Sequence, residues 1–203
     1  MPLPSSSVPG TAEADAALAA LDTRRSVPPM QLGLPAPDQP TLLRMLRSAV
    51  RVPDHGKRVP FRFLAIRGAA RDALGERLAV RSLQRDPEAS DAVIAKDRAR
   101  FSHAPLVVTV VARLGPDEKI PEQERLLSAG CVCFALLQAA HALGFGAVWL
   151  TGWAAYDAEV ARWLGLAPDE RVVGFVHIGT PKLHVPERDR PDPRELLSDW
   201  IPA

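Results

Sequence analysis

The segment Leu126–Gly152, LLSAGCVCFALLQAAHALGFGAVWLTG, constrains the fold more than any other. From Ala129 to Leu143 nearly every residue is apolar. Only Gln138 and His141 interrupt the run, one helical turn apart and so on one face. A helix apolar on all sides belongs in a core. This one is too short and too interrupted to read as a membrane span. Gly144 offers a left-handed stop, and Gly146 opens Ala147–Leu150, which reads as a short buried strand. The other elements must wrap this helix and pair with this strand, which predicts a layered α+β domain.

A chain of 203 residues is long enough for one domain with a sizeable core. The 25 basic and 24 acidic residues leave a formal charge of +1. That balance argues against a general nucleic-acid or membrane-surface binder, which would carry a basic excess. Cys131 and Cys133 are two positions apart on the predicted helix, so their side chains diverge and no disulfide joins them. They read as small core residues. The N-terminus lacks the basic start and apolar run of a signal peptide, and the expectation is a cytoplasmic protein.

Residues 1–10 are rich in Pro and Ser and read as a mobile tail; residues 11–203 read as a single domain. Thr11 can cap a first helix running to Leu21, and Pro28-Pro29 forbids more helix. Gln31 to Pro40 reads as loop. A second helix is expected over Thr41–Val50, then a turn over Arg51–Gly56. Strands are expected at Phe61–Ile66, Leu106–Ala112 and Val172–Ile178, the second apolar on both faces and therefore central. Helices are expected over Ala69–Leu83, from Pro87 to about Arg100, and after a cap at Asp157. Leu114–Pro121 reads as an exposed loop. With Ala147–Leu150 the count is four strands and about six helices. The charged tail beyond Lys182 carries Leu196, Leu197, Trp200 and Ile201, which need a surface to pack on, such as a partner subunit.

No hydrolase elbow, Walker loop or metal-ligand spacing is present, and the five histidines default to structural or solvated roles. Two basic turns follow helices. Arg24-Arg25-Ser26 reads either as cations at a helix's negative end or as a phosphate cradle of two guanidiniums and a hydroxyl. In the second turn, Arg51 and His55 stand four positions apart and could face one anionic ligand.

These turns belong to a longer pattern. Arg-Arg-Ser, Arg-x-Pro-Asp-His-Gly, Pro-Phe-Arg-Phe, Ala-Pro-Leu-Val-Val, Ser-Ala-Gly, Gly-Phe-Gly-Ala-Val-Trp and Val-Gly-Phe-Val-His-Ile-Gly-Thr-Pro follow one another from about Leu18 to Pro181. In that order and spacing the chain resembles the nitroreductase family, in its short bacterial NAD(P)H nitroreductase branch.

The resemblance implies a mostly antiparallel sheet wrapped by helices, in an intertwined homodimer with FMN at the interface. It implies an oxidoreductase that takes hydride from NAD(P)H and passes electrons to a small nitro or quinone-like acceptor by a ping-pong route. Flavin chemistry of another kind, or flavin binding without turnover, is the alternative. By position, Arg24, Arg25 and Ser26 match the turn at the FMN phosphate and ribityl chain. Arg51 and His55 match positions reaching the flavin from the other subunit. Trp149, Leu150 and Thr151 match the strand end along the flavin, and Ala139–Gly144 match a segment assigned to the nicotinamide. The match implies no metal, nucleic-acid or membrane partner. Leu150 stands where a relative carries arginine, Phe61 replaces the commoner tryptophan, and Arg188 or Arg190 in the divergent tail could restore the missing charge.

Overall fold

The computed structural model describes residues 11–202. The readings of residues 1–10 as a mobile tail and of Thr11 as a cap lie outside the described residues and side chains. In chain order the elements are α1 (Thr11–Asp22), β1 (Leu32–Gly33), α2 (Gln39–Ala49), β2 (Phe61–Arg67), α3 (Ala69–Arg85) and α4 (Asp91–Arg98). They continue with β3 (Leu106–Arg113), α5 (Glu122–Ala142), β4 (Gly146–Leu150), α6 (Ala158–Trp163) and β5 (Glu170–Pro181).

All named strand pairs are antiparallel. β2 pairs with β3 and β3 with β5, while β5 also pairs with β4 and, at its end, with β1. β3 is buried over seven consecutive residues, as its apolar run requires. Helices cover both faces. On one, Val108, Val110, Val176 and Ile178 pack against α5 and α2 through Ala129, Val132, Leu136 and Met45. On the other, Val107 and Phe175 pack against α3 and the α6 region through Leu78, Phe101, Ala154 and Val160. A bulge between Val110 and Val111 shifts the register of β5 at Val173.

The caps explain several boundaries. Asp38 accepts from the Thr41 amide at 2.9 Å and starts α2 two residues before the expected Thr41. Asp157 accepts from the Glu159 and Val160 amides and starts α6 as read. Gly144, at φ +80°, ends α5.

Five expectations need correction. α4 begins at Asp91, behind Ser90, and not at Pro87; its first orphan amides turn back onto the Ser90 carbonyl. Gln31–Pro40 is not all loop, because Leu32-Gly33 pairs with Thr180-Pro181 as a fifth strand. The Leu114–Pro121 loop buries Leu114 and Ile120. α5 is not buried all round: Leu127 is 60% exposed, Phe134 45%, and Cys131 is exposed while Cys133 is buried. Trp149 and Leu150 emerge at the end of β4 at 36% and 39% exposure. One face of α5 and the end of the strand beside it are therefore left open.

His177 on β5 is 1% exposed and stacks on Phe101, ring centroids 5.9 Å apart. Burial, then the nearby His103 and Arg100, push its pKa down to about 4. The unfolded chain thus takes up this proton near pH 6.5 and the folded chain only near pH 4, so stability falls as pH drops through that window. The loss is about 3 kcal/mol once pH is below 4. Urea unfolding of the native chain and of His177→Phe at pH 7, 5 and 4 checks this. Their difference in stability is expected to shift by that amount in favour of the variant on acidification; a pH-independent difference refutes the assignment.

Candidate functional site

The site grows from a close approach at Gly146, the first residue of β4. A Cβ there would stand 2.8–3.0 Å from the side chains of Leu32, Pro181 and Val27. With only hydrogen in that space, the segment after α1 lies along the free edge of β4. Ser26 bridges Ala147 in parallel, and the Val27 amide donates to the Ala147 carbonyl at 3.0 Å. The first basic turn is thereby fixed beside the strand whose far end carries Trp149, Leu150 and Thr151.

The turn is a cluster of cations round one acid. Arg25 meets the Glu187 carboxylate at 2.6 Å and donates to the Thr23 carbonyl at 2.6 Å. Arg190 meets the same carboxylate at 2.9 Å. Arg24 donates to the Ser26 hydroxyl at 3.3 Å. Burial and the neighbouring Arg190 lower the Arg24 pKa, against the opposing pull of Glu187. The Arg25 Nε is buried without a partner. Two guanidiniums share one carboxylate, a third stands beside them on Ser26, and the Arg25 Nε is a donor to spare, so the donor set fits a further anion of higher charge. The helix-end reading holds in part, since Arg25 does bind a carbonyl just past α1.

The second turn lies elsewhere. His55 pairs with Glu124 in the first turn of α5 at 2.7 Å. Thr23, beside the first turn, meets His141 in the last turn of α5 at 3.2 Å. About seventeen residues at ~1.5 Å each separate these anchors by roughly 25 Å. The Arg51 side chain makes no hydrogen bond or ion pair among the described residues. Within one chain, therefore, the structure does not bring Arg51 and His55 to the Arg24-Arg25-Ser26 turn.

Trp149 and Leu150 point to opposite faces of the sheet. Trp149 crosses Gly174 on the α5 face and donates from Nε1 to the Val173 carbonyl at 3.2 Å, at the bulge. Leu150 pairs with Phe175, on the α3 face. Of the Ala139–Gly144 segment, Ala140 is 0% exposed and belongs to the core. His141 and Gly144 line a pocket of about 260 Å³ together with Arg25 and His184. A larger groove, about 640 Å³, runs between Leu127 and Gly130 of α5, Trp149, Tyr156 and the Glu170–Val173 edge of β5. On the side away from β3 that stretch has no strand partner among the described residues, since β4 pairs only with Phe175–Gly179.

Sequence reasoning missed Glu187, which lies over 160 positions from Arg25 in a tail without periodicity. Its one signal was the charge alternation around Arg188 and Arg190, the residues already named as a source of positive charge.

The fold is α+β, with a turn rich in arginine at the edge of its sheet. The chain belongs to the nitroreductase family, whose model matches residues 22–180. It is 35% identical over 183 residues to the Escherichia coli K12 protein named "Putative NAD(P)H nitroreductase YdjA", covering 90% of this chain and 98% of that one. A nitroreductase-like protein from Bacillus cereus has the same fold, with a TM-score of 0.76 at 22% identity over 90% of this chain and 95% of that one. A Desulfovibrio desulfuricans nitroreductase solved in complex with FMN gives a TM-score of 0.68 at 25% identity, covering 91% and 97%.

Proposed function

We propose that this chain is a cytoplasmic FMN-dependent oxidoreductase that uses NAD(P)H to reduce nitro or quinone-like acceptors. It works as a homodimer, with residues 11–203 as one FMN-binding domain. The carrying observation is the pairing of Arg25 and Arg190 with a single carboxylate beside Arg24 and Ser26, with the Arg25 Nε unpaired. Membership of the nitroreductase family and the FMN-bound Desulfovibrio neighbour support FMN as the anion.

In this reading Arg24, Arg25 and Ser26 hold the phosphate, and Arg190 supplies the charge that Leu150 does not. Glu187 yields its place on Arg25 as the phosphate arrives. Trp149, Leu150 and Thr151 form the surface beneath the ring. When bound, FMN supplies the redox chemistry, accepting hydride from the nicotinamide and releasing electrons to the acceptor. The protein's task is to orient the ring and keep water from it, so no dedicated acid or base is required.

The second copy completes the site. Arg51 and His55 come from the partner, in keeping with their separation of roughly 25 Å from the first turn in one chain. The open stripe of α5, with Leu127, Cys131 and Phe134, is the matching contact face. Gln138 adjoins it with a buried Nε2 that has no partner, an orphan donor that a second chain can satisfy. The tail's Leu196, Leu197, Trp200 and Ile201, each more than 70% exposed, suit the groove at the unpaired β5 edge of the partner.

The purified protein is expected to be yellow, with about one FMN per chain; mass analysis showing FAD, or failure to take up added FMN, would count against the proposal. Arg24→Ala or Arg25→Ala is expected to weaken FMN binding roughly tenfold to a hundredfold, the value of one hydrogen bond to a charged group. Unchanged affinity in both variants would return the turn to a helix-end role.

The trans assignment has its own test. One subunit carries Arg24→Ala with Arg25→Ala, and the other carries Arg51→Ala with His55→Ala. Each homodimer is expected to bind FMN poorly at both sites. In a purified mixed dimer, one site collects both lesions and the other none, so about one intact site returns. A flavin count near zero in an intact mixed dimer would refute the assignment.

A further inference from the structure

Asp97 on α4 is 3% exposed and takes no part in the chemistry described above. Its carboxylate accepts from Arg100 and, through both oxygens at 3.1 Å, from the Trp153 indole Nε1. Ser82, itself buried, also favours the charged carboxylate. Burial alone would raise the Asp97 pKa, but the bonds from Arg100, Ser82 and Trp153 outweigh it and hold the carboxyl below its ordinary value. It is therefore a buried charge, fully engaged.

One of its two main partners, Trp153, is a loop residue, and the other, Arg100, lies against the residue before it. The Arg100 Nη1 lies 2.7 Å from where a Cβ on Gly152 would stand. Gly152 has φ +65° and ψ −176°, a conformation left in practice to glycine. The next residue, Trp153, is tied to Asp97 directly, and the Arg85 guanidinium lies over its ring at 4.5 Å. The residue before the clamp is Thr151. A buried ion pair contributes little net stability, yet this one fixes the point where β4 leaves the sheet. The Arg100 backbone adjoins Phe101, which packs edge-on against Phe175 at 4.8 Å. Phe175 is in turn the partner of Leu150 in the sheet, so the network and the Leu150 side share one face.

We propose that Asp97 is a positioning residue for the cofactor site, fixing through Arg100 and Trp153 the strand end on which the flavin ring rests. The inference depends on the reading above that Trp149–Thr151 line the flavin.

The test uses the FMN-saturated dimer and three variants. Trp153→Phe keeps a ring beneath Arg85 and removes the donor. Asp97→Asn keeps the shape and removes the charge. Leu150→Ala alters the strand end itself. The visible circular dichroism of the bound flavin reports the ring's surroundings, and kcat reports its use. Trp153→Phe and Asp97→Asn are expected to change the flavin band and lower kcat roughly tenfold, the scale of one hydrogen bond to a charged group. FMN affinity, set mainly by the arginine turn, is expected to stay within a few-fold. If Asp97→Asn does not fold, Trp153→Phe carries the test alone. Should Leu150→Ala change the band while Trp153→Phe only lowers the melting temperature, the network is merely structural and the proposal is overturned. Should Leu150→Ala leave the band unchanged, the strand end does not line the flavin, and the proposal falls with that reading.

Discussion

Everything at the site depends on how closely three segments pack at Gly146. Val27, Leu32 and Pro181 converge where a side chain would otherwise stand. That convergence lets β1 close on the end of β5 and lets Ser26 and Val27 bond to Ala147. The first basic turn has no other attachment to the sheet of comparable regularity. α5 ends at Gly144 two residues earlier, and the Phe145 amide turns back onto the Ala140 carbonyl. Strand, turn and helix end are thus fixed together, which is what the proposed phosphate site, built from distant segments, requires.

α5 serves two opposite demands. Ala129, Val132, Leu136 and Ala140 form the contact with the sheet, and their small or regular side chains bring helix and strands close. The opposite stripe is apolar and open. An apolar face of that length on a lone chain is a liability for association, and in a homodimer it becomes the interface. The same helix spaces the two basic turns at its two ends, so the contact that would join two copies also decides which turn of one chain can face which turn of the other.

Much of this was legible in the sequence. Apolar runs and stripes located α2, α5 and four of the five strands, while caps, prolines and glycines located the shorter or more polar α1, α4 and α6. β1 was not legible: two residues have no periodicity, and only their pairing with Thr180 and Pro181 makes them a strand. The helical start at Asp91 was misread because Pro87 suits a first turn equally well, and only the backbone bonds to Ser90 decide between them. The apolar helix read as buried on all sides, since a sequence does not say whether a face is covered by its own chain or by another. Arg24-Arg25-Ser26 was legible as a motif. Glu187 was not, because a lone acid in a charged tail has no local signature; Asp97 was hidden in the same way among the charged residues of α4.

The strand end of β4 is held from both faces by different means. On the α5 side the Trp149 indole donates to the bulged carbonyl of Val173, over a glycine that leaves room for the ring. On the other side Arg100 bears on Gly152, and Asp97 holds Trp153. Leu150 and Thr151 lie between these two fastenings and carry no hydrogen-bonding side-chain partner among the described residues. A strand end whose indoles are already hydrogen-bonded on either side, with Leu150 and Thr151 free between them, can lie flat under an aromatic ring without competing for its polar edge. The charged groups that would adjust to the proposed ligand, Arg25, Glu187 and Arg190, are instead on the turn and the tail, where the ion pairs are partly exposed and easily exchanged. The site thus separates a rigid floor from an adaptable anchor, which suits a cofactor that is bound by its phosphate and used at its ring.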